Sequence, residues 1–189
     1  MKKNRLEAFS DGVLAIIITI MVLELHVPEE TDFHSLLSRV PIFLSYMISF
    51  VYLGIYWNNH HHLFQVTEKV NGKILWANLH LLFWLSLIPF ATSWIGANYQ
   101  ASAPVTLYGI VLLMSAVAYF ILQNAILNHH DEDFVLRKAI GGDLKGKFST
   151  LIYIVGIALS FYYSPLAILC YIVVALIWFL PDRRIEKSI

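Results

Sequence analysis

Six long apolar runs make up most of this chain, and their length leaves few folds open. They cover residues 5–26, 40–62, 74–97, 105–127, 148–163 and 166–180. An α-helix rises about 1.5 Å per residue, so about 20 residues cross a hydrocarbon core ~30 Å thick. The last two runs are short and meet at the tight turn YYSP, which suits a helical hairpin. The chain is 58% hydrophobic and only 14% charged, where soluble domains are about 45–50% and about 25%. The fold class is therefore an all-α integral membrane protein, with six transmembrane helices in one domain over residues 1–189. Pro41 and Pro104 sit at helix starts, where a missing N–H costs little. Pro89 lies inside the third run and predicts a kink there.

The ends of the runs predict an orientation. Lys2, Lys3, Arg5, Lys69, Lys73, Arg137, Lys138, Lys145, Lys147, Arg183, Arg184 and Lys187 fall on one side, and Arg39 alone on the other. Positive charge stays inside, so both termini are expected in the cytoplasm of a multi-pass plasma-membrane protein. The net charge of +0 gives no sign of a nucleic-acid partner. Cys170 is a lone cysteine in an apolar run, so a disulfide framework is excluded. The first run is too long for a signal-peptide core and is expected to be retained.

That first run carries charge into the bilayer, in the stretch RLEAFSD from Arg5 to Asp11. At about 100° per residue, Phe9, Ile20, Leu23 and Val27 fall within about 40° of Ile16. Thr19 falls about 60° to one side and Glu24 about 80° to the other. Asp11 lies about 140° away and Ser10 about 120° away. The isoleucine stripe and the Ser10/Asp11 pair cannot both face one lumen. A charge on a membrane helix costs about 2.5–3.5 kcal/mol on insertion scales, so Asp11 is expected to face protein. The second run ends in YWNNHHH and the third begins ILWANLH, at matching depth. Trp57, Asn58, His61, Asn78 and His80 are thus expected to gather around Asp11 as a packing and assembly hub. Arg5 is expected near the inner mouth or a neighbouring subunit.

The run His60–His61–His62 does not make a metal site, because adjacent helical residues point about 100° apart. Paired histidine ligands favour i, i+4 spacing, so one histidine is expected to serve as a hydrogen-bond partner of Asp11. The HHDED segment at residues 129–133 is read as a solvated loop. TLYGI, Thr106 to Ile110, matches the potassium filter TVGYG only superficially, since it sits within the fourth helix with no re-entrant loop.

The R-x-x-x-F-S-D pattern, six runs and a Trp/Asn/His-rich end to the second resemble the lysosomal/endosomal transmembrane potassium channel family, in its bacterial single-repeat form. RLEAFSDGVLAI is the specific part, and the resemblance covers the whole chain. It implies a homotetramer with the first helices lining a central pore. It also implies hydrophobic constrictions in place of a carbonyl filter, at Ile16, Ile20 and Leu23, with Thr19 as a flanking polar position. Arg5, Phe9, Ser10 and Asp11 match the motif itself. The function implied is a potassium-permeable cation leak channel of weak to moderate selectivity. Its partners would be other copies of itself, the bilayer and monovalent cations, with no cofactor, no metal and no enzymatic activity. The competing reading is a proton-coupled secondary transporter with Asp11 and histidines as a relay; against it, no inverted repeat is visible. Glu24, Glu29, Glu30 and Asp32 would form an acidic outer mouth that concentrates cations.

Overall fold

A computed structural model describes residues 3–28, 30–130 and 144–179. Its helices are α1 (Lys3–Leu23), α2 (Phe33–Leu37), α3 (Val40–Val66), α4 (Gly72–Ser86), α5 (Ile88–Ala97), α6 (Ser102–Leu127), α7 (Leu144–Ser160) and α8 (Ser164–Phe179). Local chemistry sets several of their ends. Asp32 caps α2 by accepting the Ser35 N–H at 2.7 Å. Asn71 caps α4 by accepting the Ile74 N–H at 3.0 Å. Pro41 and Pro89 sit in the first turns of α3 and α5, where a proline is tolerated.

The apolar run over 74–97 lies in one membrane-length stretch that is interrupted next to Pro89, where the kink is expected. Proline has no N–H, and its ring crowds the carbonyl four residues earlier. Here that carbonyl belongs to Leu85, and the helix breaks at Leu87, between α4 and α5. α1 stops at Leu23, three residues short of the expected 26, and α3 runs one turn past 62 to Val66.

Among the described residues, four stretches are long and apolar enough to cross a membrane: α1, α3, α4 with α5, and α6. The described parts of α7 and α8, 17 and 16 residues, are shorter than the ~20 that a straight crossing needs. The architecture is thus all-helical and multi-pass, with α7 and α8 packed on each other and both touching α6.

Tight helix contact depends on small residues, as is usual where lipid removes the hydrophobic drive between helices. The Tyr171 ring of α8 lies against Gly109 of α6 and Gly156 of α7. A Cβ on Gly109 would stand 2.1 Å from the Tyr171 hydroxyl, and one on Gly156 would stand 2.7 Å from its ring. The glycine of TLYGI is therefore a packing requirement. Polar side chains bind the interior across helices. Thr92 of α5 donates to Ser49 of α3 at 2.7 Å, and Ser49 shares a 2.8 Å bond with Tyr108 of α6.

Candidate pore wall on the first helix

α1 packs against α3, α4 and α5. Its buried stripe is Leu6, Ser10, Leu14, Ile17 and Met21, a run at three- and four-residue spacing that a 3.6-residue period produces. Ser10 sits mid-stripe and is fully buried. Its hydroxyl donates to the Leu6 carbonyl at 2.9 Å and accepts from the Asn78 side-chain amide at 2.9 Å. The Asn78 oxygen shares a 2.8 Å bond with His60 Nε2. Three buried side chains from α1, α4 and α3 thus form one connected chain, and each link satisfies groups that lipid could not.

Asp11 lies beside this chain, not at its centre. The aspartate is exposed, and its carboxylate accepts the Trp57 indole N–H at 3.0 Å. His61 stacks on the Trp57 ring at 6.2 Å and is exposed. Asn58 is half-buried. His80 takes a different partner, accepting from Trp84 Nε1 at 3.0 Å along its own helix. The grouping expected around one carboxylate is therefore split: Ser10–Asn78–His60 inside, Asp11–Trp57–His61 at the edge. His60 was missed by the sequence reading. Its signal was the stripe Leu53, Tyr56, His60, Leu63, Phe64, all buried at helical spacing.

The opposite face of α1 is uncovered. Phe9 is 51% exposed, Ile16 60%, Ile20 43% and Leu23 70%. Thr19 is exposed, and its hydroxyl donates to the Ala15 carbonyl at 2.8 Å, so its oxygen keeps free lone pairs. Arg5 is exposed at the start of the same face. A groove of about 760 Å³ runs beside this face, where Ile16, Ile20 and Glu24 meet Pro89, Ser93 and Trp94. Glu24, Glu30 and Asp32 are exposed, with the Asp32 carboxylate engaged as the α2 cap. Glu29, most of HHDED and the basic residues at 137, 138, 183, 184 and 187 lie outside the described residues.

A family model described as the endosomal/lysosomal potassium channel TMEM175 matches residues 5–89. A potassium channel of Chryseobacterium sp. (strain P1-3) is 61% identical over 189 residues, covering 100% of this chain and 98% of that protein. The chain belongs to the TMEM175 family. A potassium channel of Chamaesiphon minutus is 30% identical over 180 residues, 84% of each chain. The crystal structure of a lysosomal potassium-selective TMEM175 homologue from Chamaesiphon minutus superposes with a TM-score of 0.80 at 29% identity. The match covers 95% of this chain and 97% of that one. The Gallus gallus endosomal/lysosomal proton channel TMEM175 is 36% identical over 103 residues, 48% of this chain but 21% of that protein. These TMEM175 relatives are channels, not enzymes. The TMEM175 family match begins at Arg5, so it takes in the RLEAFSD segment whose Ser10 and Asp11 hold α1 to its neighbours.

Proposed function

We propose that this chain is the subunit of a potassium-permeable cation leak channel in the plasma membrane, with weak to moderate preference for potassium. Six spans place both termini in the cytoplasm, with α7 and α8 as the short outer pair. Four copies surround one axis, and α1 of each lines the pore. Ile16, Ile20 and Leu23 form successive apolar rings and Thr19 a polar flank. A ring of four isoleucines excludes water when narrow, so ions pass only when the helices splay or rotate.

The observation that carries this reading is the division of α1 into two faces. Ser10 is fully buried and bonded to α4, while Ile16 and Leu23 on the other side are 60% and 70% exposed. A helix so anchored presents its isoleucines outward from the subunit. The full-length likeness to a bacterial potassium channel supports a lumen, and not lipid alone, on that side. The grouping of Glu24 with Ile16 and Ile20 in one groove supports a cation path.

The test is potassium flux into proteoliposomes for the wild type and Ile16→Asn, both checked for an intact oligomer. Faster and less selective flux in the variant is expected, because a polar ring no longer dewets. Unchanged flux would move the pore elsewhere. Flux that appears only against a proton gradient would replace the channel with a proton-coupled transporter.

A further inference from the structure

A second cavity, of about 370 Å³, lies among α3, α6, α7 and α8, with no residue of α1 in its lining. Its volume lies within the ~300–1,000 Å³ of ordinary ligand sites. Much of the wall is apolar, from Ile55, Ala116, Val117 and Phe120. Most polar groups in the wall already have partners. Asn59 donates to the Ile55 carbonyl at 2.8 Å, Thr150 to the Gly146 carbonyl at 3.0 Å, and Trp178 Nε1 to Ser149 Oγ at 2.8 Å.

Two do not. The Gln123 amide and the Tyr56 hydroxyl line this cavity, and their residues are only 8% and 9% exposed. Neither side chain makes a hydrogen bond among the described residues. Their polar atoms open onto the cavity and are not sealed inside the protein, so these two mark where a ligand's polar atoms would sit. The cavity lies where α6 ends and α7 begins, and Lys147 stands exposed in its wall. Lys145 lies over the Trp178 ring at 5.1 Å.

We infer that this cavity holds one acyl chain of an anionic phospholipid. The phosphate rests at Lys147, and the ester oxygens accept from Gln123 and Tyr56. An apolar slot with cations at one end suits an anionic lipid, and basic pockets between membrane helices bind such headgroups.

The experiment is native mass spectrometry of the purified full-length oligomer, after exchange with phosphatidylglycerol or phosphatidylcholine of identical chains. The expected result is about one retained phosphatidylglycerol per subunit, favoured about fivefold over phosphatidylcholine. Lys147→Gln, an exposed change that leaves packing alone, should bring the two lipids to parity. Ala116→Phe should expel both while the oligomer persists; if that variant does not fold, Lys147→Gln still decides. Equal retention of both lipids by the wild type would overturn the proposal, leaving only an apolar slot. So would a wild-type oligomer without bound lipid, which would leave the cavity to solvent. Lipid binding is read here without any ion flux, so its failure leaves the channel reading intact.

Discussion

Asn78 donates its side-chain amide to the hydroxyl of Ser10 at 2.9 Å, joining α4 to α1 in the buried interior. Its other end bonds His60 of α3 at 2.8 Å. One amide therefore sets the rotation of α1 about its own axis. With Ser10 turned inward, Ile16 is turned about 120° away by helical geometry alone.

Loss of this link should cost little at Ser10 and more at Asn78. Hydrogen bonds between membrane helices average about 0.6 kcal/mol and reach about 1.7. Ser10→Ala should fall in that range. Asn78→Leu strips a partner from both Ser10 and the buried His60, so about 1–3 kcal/mol is expected. Thermal melting of the oligomer in detergent, followed by size-exclusion chromatography, ranks the two; equal melting points would remove Asn78 from the centre.

Asp11 should separate assembly from proton chemistry. Asp11→Asn keeps an oxygen for the Trp57 indole N–H, which now approaches the carboxylate at 3.0 Å. Asp11→Ala removes it. The channel reading expects a normal oligomer with near-normal potassium flux in Asp11→Asn, and an oligomer weakened by about 0.6–1.7 kcal/mol in Asp11→Ala. Flux abolished by Asp11→Asn in an intact oligomer would mark the aspartate as a proton carrier.

Gly109→Ala should destabilise the subunit. The added Cβ would meet the Tyr171 hydroxyl at 2.1 Å, its ring carbon at 2.5 Å and Ile157 at 2.9 Å. Overpacking of this kind costs about 1–3 kcal/mol. Tyr171→Phe should not rescue it, because the 2.5 Å contact is with the ring itself. Yield and melting temperature of the single and double variants check both statements, and full rescue by phenylalanine would contradict the geometry.

The acidic mouth should act through charge alone. Glu24→Gln and Glu30→Gln should lower single-channel conductance at about 10 mM salt, where the screening length is about 30 Å, and hardly at 1 M, where it is about 3 Å. Asp32→Asn should do the same without loosening α2, since asparagine caps as well as aspartate. Variants that keep wild-type conductance at both salt levels would reduce these residues to a solvated loop.

The two faces of α1 were legible from sequence because helical period and side-chain polarity agree there. Ser10 and Ile16 differ in angle by about 120°, and Ser10 turns inward, whereas Asp11, expected to face protein, is exposed. Asn78 was legible through depth, since antiparallel helices bring their matching ends to one level. Which ring of Tyr56–His62 would meet Asn78 was harder to read. Successive residues differ by about 100°, and charge attraction to Asp11 pointed to His61, whereas the buried stripe of α3 places His60 inward. Charge drew Asp11 to the centre of the expected cluster, yet the neutral Ser10 occupies it: a hydroxyl is far cheaper to bury than a carboxylate. The pocket beside Gln123 had no sequence signal, because an unfilled space is a property of four helices at once.

The interruption at Leu87 divides labour along the third long helix. Its earlier half, α4, is bolted to α1 through Asn78. Its later half, α5, supplies Pro89, Ser93 and Trp94 to the groove beside Ile16. A continuous rod would transmit every adjustment of one half to the other. The cut at a proline lets the two halves take separate directions, α4 set by its bolt to α1 and α5 by the Thr92–Ser49 bond to α3.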